Sequence, residues 1–210
     1  MDWASETVNI ESKGRCRLFE LPAELRIAIF TFALTFDKTV VTYHLDDYQR
    51  DSLEEAIQPP LTAVSRQVRC ETLPIWYGCN RFVFHTQTPK VDDTRQWLLA
   101  NAIRLAMLKQ VSFWVRRFAN VPGVPPAYGA LGINLDRDAE GLWKVSDAYD
   151  WVTVMRRPRD LDIEAKGIID HAKRAIDKQC RGVIDTRSTW NDILHFMPYL
   201  YYMRQQEQNP

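Results

Sequence analysis

The chain lacks a run of apolar residues approaching the roughly 18 that a helix needs to span a bilayer, so no membrane span is expected. It lacks net charge: 27 basic residues balance 27 acidic ones. No global field therefore argues for nucleic acid or an anionic membrane as partner. It is poor in cysteine, with Cys16, Cys70, Cys79 and Cys180 at long, irregular spacings and no C-x-x-C pair. That excludes the tight grouping of a disulfide framework or a structural zinc site. Only eight glycines occur, and none stands in a G-x-G-x-x-G, G-x-x-x-x-G-K-[ST] or G-x-S-x-G pattern. Phosphate cradles and nucleophile elbows thus lose their usual marks. His44, His85, His171 and His195 are scattered, and no two are four residues apart. The amino end, Met1-Asp2-Trp3-Ala4-Ser5-Glu6, has no apolar leader core. These absences lead us to expect an intracellular protein of the cytoplasm or nucleus with reduced thiols, no catalytic residue, no cofactor and no metal.

What is present is the profile of a folded chain: 46% hydrophobic, 26% charged and 11% aromatic over 210 residues. Residues 1–17 read as a flexible tail, and 18–206 as a single domain. Leu18 to Leu34 predicts a helix, with Pro22 in its first turn, Glu24 near its positive end, and Leu21, Leu25, Ile29 and Phe32 at helical spacing. Ile27, Phe30 and Leu34 widen the apolar arc beyond one face. Thr39–Leu45 predicts a strand. Residues 46–58 read as an acidic loop or short exposed helix. Leu61, Val64, Val68, Thr72 and Ile75 mark a second helix, kinked or restarted at Pro74 and stopped by Gly78.

Farther on, Arg81–Thr86 and the alternating Lys109–Val115 predict strands, with a helix over Asp92–Ala102 between them. Residues 120–141, rich in proline and glycine, read as a long surface loop. Leu142–Met155 suggests a hairpin turning near Ser146–Asp147. Asp160–Arg181 is the most regular helix, striped by Leu161, Ala165, Ile168, Ile169, Ala172, Ile176 and Cys180. A last helix is expected from Thr189, which with Asp192 suits a capping box. Its stripe is Trp190, Ile193, Leu194, Met197, Leu200 and Tyr201, with a bend at Pro198. The sum is an α+β class: helices over one face of a small mixed or mainly antiparallel sheet.

Candidate chemistry is sparse. His44 beside Asp46 and Asp47 is a weak metal candidate, explained as well by an exposed acidic loop. Asp160, Asp162 and Glu164 do not converge on a helix and suit its positive end instead. Trp76, Tyr77, Phe82 and Phe84 have no interleaved basic residues, so core packing accounts for them better than base stacking. Cys70 and Cys79 flank apolar structure and read as buried, inert thiols. Charge is uneven locally: residues 37–60 hold two basic and six acidic groups, and residues 151–181 hold eight basic and five acidic. Solvated faces account for both.

Two segments together carry a resemblance. Leu21, Pro22, Glu24 and Leu25, followed by Arg26, Ile29 and Phe30, resemble the Leu-Pro-x-Glu-Leu opening of an F-box. Ser65, Arg66, Gln67, Val68, Arg69 and Glu71, then Pro74, Tyr77, Gly78, Asn80 and Phe82, resemble the companion segment of fungal F-box-like proteins. The likeness covers 18–86, about a third of the chain. It implies a non-enzymatic protein–protein interaction protein in which the first helix docks a Skp-type adaptor. The remainder would recruit an unknown protein substrate to a cullin-based ubiquitin ligase. On that reading Leu21, Pro22, Leu25, Ile29 and Phe30 are the partner-binding set.

Residues 37–60, with their strand, separate the two segments. Pairing of this strand with 81–86 would build both segments into one α+β core and draw the first helix inside. Glu71 is expected to bridge to Arg66, Arg69 or Arg26, and Asn80 to take a left-handed turn after Gly78. Two other functions stay open: an F-box-derived domain that binds a different protein, and a small enzyme whose site forms only in the fold. Residues 120–141 and the basic face of 160–181 are candidate recognition surfaces.

Overall fold

Three short segments and three longer ones, none able to pair its backbone alone, form one six-stranded mixed sheet. The computed structural model describes residues 16–42, 53–86, 90–119, 127–154, 161–180, 184 and 187–197. Its strands are β1 (Thr39–Val41), β2 (Leu53–Glu55), β3 (Arg81–His85), β4 (Gln110–Ala119), β5 (Ala127–Arg137) and β6 (Trp143–Val154), in the order β2-β1-β3-β4-β5-β6. The helices are α1 (Ala23–Leu34), α2 (Arg66–Cys79), α3 (Lys90–Ala100), α4 (Leu161–Cys180) and α5 (Arg187–Phe196). Of the expected tail 1–17, residues 1–15 lie outside the described residues, and Arg17 opens a 3-10 turn running to Glu20.

The sheet is parallel from β2 to β4 and antiparallel from β4 to β6. Val40 pairs with Phe82 and Val41 with Val83, so the strand that follows α1 lies beside the strand that follows α2 in one sheet. Helices α2 and α3 are crossovers into β3 and β4, although the sequence shows no run of such units. The strands are three to five residues long on this side, and no glycine-rich turn announces them.

Register decides the core. Val40, Phe82, Phe84, Val111, Phe113, Val115, Leu131, Ile133 and Leu135 fall on one sheet face and are buried in one cluster with Trp76, Leu98, Ile168 and Trp190. That cluster runs from Val40 to Met197, so α2 through α5 contribute to a common core. Val41, Leu53, Val83 and Trp114 make a smaller cluster on the opposite face. The α4 stripe holds as spaced: Ala165, Ile168, Ile169, Ala172 and Ile176 are all buried.

Several expectations are corrected. Residues 127–137 form β5, not surface loop: Leu131, Ile133 and Leu135 alternate into the core, and the neighbouring glycines are strand residues. The same finding removes half of 120–141 as a recognition loop. Residues 143–154 are one strand, not a hairpin. Ser146 and Asp147 sit where β6 slips register between Val145 and Tyr149. The turn comes earlier. Asp138 accepts the backbone N–H groups of Glu140 and Leu142, and Gly141 takes φ +84, the left-handed conformation that suits glycine. Residues 53–55 pair as β2 within the stretch expected to be loop.

In α2 the helix passes through Pro74, which lies on the exposed side, where a lost hydrogen bond is least costly. Gly78 does not stop it. Asn80 is the C-cap at φ −105, extended and not left-handed. Val64 lies outside the buried face, at 68% exposure. Cys70 and Cys79 are exposed thiols, because both point away from the sheet side of α2. Helix α5 starts at Arg187, so Thr189 lies inside the helix and is not its N-cap. His44, Asp160, Pro198, Leu200 and Tyr201 lie outside the described residues.

Candidate functional site

Helix α1 is apolar on more than one side, and packing satisfies only one of them. Its chain begins at Pro22, whose carbonyl accepts the N–H groups of Leu25 and Arg26 at 3.1 and 3.2 Å. Phe30 and Leu34 pack with Val68 and Ile75 of α2, with Leu18 and Leu61 closing the edges. At about 100° per residue, Leu25, Ile29 and Phe32 share one stripe on the far side of the helix from that pair. They are 52%, 45% and 91% exposed.

The structure therefore divides the expected partner-binding set. Pro22, Leu25 and Ile29 are exposed, and Leu21 is half-buried. Phe30 is withdrawn into the core at 1% exposure and has no surface to offer a partner, because its spacing to Leu34 aims both at α2. Phe32, absent from that set, is the most exposed apolar residue of the helix. The signal was the i, i+4, i+7 spacing of Leu25, Ile29 and Phe32, hidden by the helix being apolar all round.

The other residues that carry the resemblance hold α1 in place. Arg26 forms a two-armed pair with Glu71, Nε to Oε2 at 3.0 Å and Nη2 to Oε1 at 2.9 Å, and its third arm donates to the Leu21 carbonyl at 2.6 Å. Gln67 Nε2 donates to the same carboxylate at 3.0 Å. Of the three expected partners for Glu71, Arg26 is the one found. Asn80 ties the far end: Nδ2 donates to the carbonyls of Leu34 and Trp76, at 2.8 and 2.9 Å, and Oδ1 accepts the Phe36 N–H at 2.9 Å. Ser65 caps α2 by accepting the Val68 N–H at 3.2 Å. The Tyr77 hydroxyl donates to Asn101 Oδ1 at 2.6 Å, and burial pushes its pKa up.

The hydrogen bond from Arg26 is the main reason the Glu71 carboxyl titrates below its ordinary range; Gln67 adds to it and partial desolvation opposes it. A carboxylate lowered on folding stabilises the fold above its unfolded pKa, and that contribution is lost as pH falls through the folded value. Glu71→Gln is thus expected to lower the melting temperature at neutral pH. The gap to the unmutated chain should close as the solution is acidified below the carboxylate range. A gap that persists at the acid end in a pH series of melting curves would show that the carboxylate charge is not what α1 relies on.

Among the described residues no group of three or more His, Cys, Asp or Glu side chains could hold a metal. No described helix is long and apolar enough to cross a membrane. On the basic face of α4, Lys173 pairs with Asp147, and Lys166 and Arg174 are exposed. No family model matches the chain, and no curated protein or solved structure matches it either.

Proposed function

We propose that this chain is a non-enzymatic F-box-like interaction protein whose α1 docks a Skp-type adaptor, making it a substrate adaptor of a cullin-based ubiquitin ligase. One observation carries the reading: Leu25, Ile29 and Phe32 form an exposed apolar stripe on a helix anchored firmly from behind. A helix that enters a groove presents anchors at i, i+4 and i+7, as these three are. Leaving them in water is unfavourable by about 25 cal/mol per Å² of apolar surface, which docking recovers. The Arg26–Glu71 and Asn80 ties hold the helix still, so little freedom is lost on association.

Co-expression with a Skp-type adaptor tests this. The unmutated chain should co-purify as a one-to-one complex. Ile29→Asp and Phe32→Asp should each weaken it by about 30-fold or more, the scale of removing a central apolar anchor. Both side chains are substantially exposed, so the variants should keep their melting temperatures. Absence of a complex with the unmutated chain removes the adaptor reading. Survival of the complex in both variants moves the docking surface elsewhere.

A second reading draws on the two strands between the resembling segments and on the buried Phe30. The same stripe would then serve a partner other than a Skp-type adaptor.

A further inference from the structure

Among the described residues the large apolar side chains left in solvent fall into two sets. One lies on α1 and the turn before it. The other is Ile57, Val64, Leu99 and Ile103, each more than half exposed. Single exposed aliphatic residues are ordinary, but these four sit on the segments that hold one polar network. Ile57 precedes Gln58, Val64 follows Thr62 by two positions, Leu99 precedes Asn101 by two, and Ile103 precedes Arg104.

Two arginines reach that network from different elements. Arg69 of α2 donates from Nη2 to Gln58 Oε1 at 3.1 Å and from Nη1 to the Thr62 carbonyl at 3.2 Å. Gln58 Nε2 donates to the Tyr77 hydroxyl at 3.0 Å, and that hydroxyl to Asn101 Oδ1 at 2.6 Å. Asn101 precedes the 3-10 helix Ala102–Met107, and the Arg104 N–H bonds back to the Asn101 carbonyl at 2.8 Å. Arg104 and Arg69 both set their positive charge against the rise that burial imposes on the Tyr77 pKa, so both guanidiniums stand near the one hydroxyl. Both arginines are half-buried. Their partners are neutral, and neither forms an ion pair with a carboxylate among the described residues.

We propose that this surface binds an acidic segment of another polypeptide, its glutamate or aspartate side chain received by Arg69 and Arg104 and its apolar neighbours laid on the four exposed aliphatic residues. Two partly desolvated cations without a counter-ion favour an anion. The planar fork of guanidinium suits a carboxylate, and Arg69 spends one N–H on each of two neutral oxygens and keeps the others. A free inorganic anion would leave Ile57, Val64, Leu99 and Ile103 in water. Nucleic acid fits less well, because a base finds no ring among these four to stack on. The hydrogen bonds through Gln58, Tyr77 and Asn101 hold the surface in place, so little freedom is lost on association. None of these residues belongs to the α1 stripe, so the proposal goes beyond adaptor docking and does not depend on it.

The test uses the full chain, 15N-labelled, without any adaptor. The capped peptide acetyl-Leu-Glu-Leu-amide is titrated while the backbone amides of Gln58, Val64, Ile103 and Arg104 are followed. Saturable shifts at these amides are expected, with those of Leu25, Ile29 and Phe32 unmoved. Arg104→Gln should weaken binding about fivefold, the upper scale of an exposed ion pair. The same peptide with glutamine in place of glutamate, titrated into the unmutated chain, should lose a similar factor and does not rely on any variant folding. Absence of saturable shifts, equal binding of the glutamine peptide, or unchanged affinity in a folded Arg104→Gln overturns the inference. So does inorganic phosphate binding as tightly as the peptide, which would assign the arginines to a small anion. Sedimentation with phosphatidylserine vesicles that Arg104→Gln abolishes would give the surface to a membrane and overturn it too. Because no adaptor is present, failure here leaves the α1 docking test untouched, and the reverse holds too.

Discussion

Trp190→Ala is expected to lower the melting temperature by roughly 6–20 °C, from a loss of about 3–5 kcal/mol and about 2–4 °C per kcal/mol for a chain of this size. Trp190 is fully buried and joins α5 to the sheet through three rings. It meets Trp143 edge-on at 5.1 Å, Phe84 edge-on at 5.4 Å and Phe113 at 6.1 Å. Truncation opens a cavity that rigid neighbours on three strands cannot close. Trp190→Phe separates packing from polarity. The indole Nε1–H has no hydrogen-bond acceptor among the described residues, so phenylalanine should recover more than half of the loss. By contrast, Trp143 Nε1 donates to the Ile184 carbonyl at 3.2 Å, and Trp143→Phe should give up that bond as well as volume. Thermal melts of the three variants check the order. Equal losses in Trp190→Phe and Trp190→Ala would show that ring packing is not what holds α5.

Asn80→Ala should cost about 3 kcal/mol, one kcal/mol for each of three bonds left without a partner. The amide is 2% exposed and bridges the ends of α1 and α2. Its loss leaves the Leu34 and Trp76 carbonyls and the Phe36 N–H unpaired, two of these bonds being in buried surroundings. Phe36 packs edge-on against Trp76 at 5.4 Å, so the loosened segment also gives up an aromatic contact. Asn80→Asp keeps the acceptor but removes both donors and buries a charge, and should be at least as harmful. Protection of α1 amides against hydrogen exchange should fall more than that of β4 and β5, because α1 is held from one side only. Uniform loss across the sheet would mean that Asn80 supports the whole core and not this junction.

The two variants touch different levels of organisation. Trp190 sits where periodicity alone would put it. The stripe of α5, like that of α4, repeats at three and four, and such a pattern has one way to meet an apolar sheet face. Asn80 carries no periodic signal. Its role depends on Leu34 and Phe36, more than 40 residues earlier, arriving beside it. The same holds for the candidate docking surface. Which apolar residues of α1 are spent on the core was not legible in a helix apolar on all sides. Spacing puts Phe30 and Phe32 on different faces, and only the position of α2 decides which face is buried.

The α+β class, the existence and approximate span of each long helix, the apolar stripes of α4 and α5, and the strands at 81–86 and 109–115 follow from composition, spacing and charge. These are local properties, and neighbours along the chain carry them. Tertiary structure alone decided the parallel pairing of β1, β2 and β3, the inclusion of β5 in place of a loop, the continuation of α2 past Pro74, and the exposure of Leu25, Ile29 and Phe32. Strands of three residues, glycines that suit both turns and packed sheets, and a helix with no polar face leave local preferences nearly balanced. What tips the balance is which distant surface each segment meets.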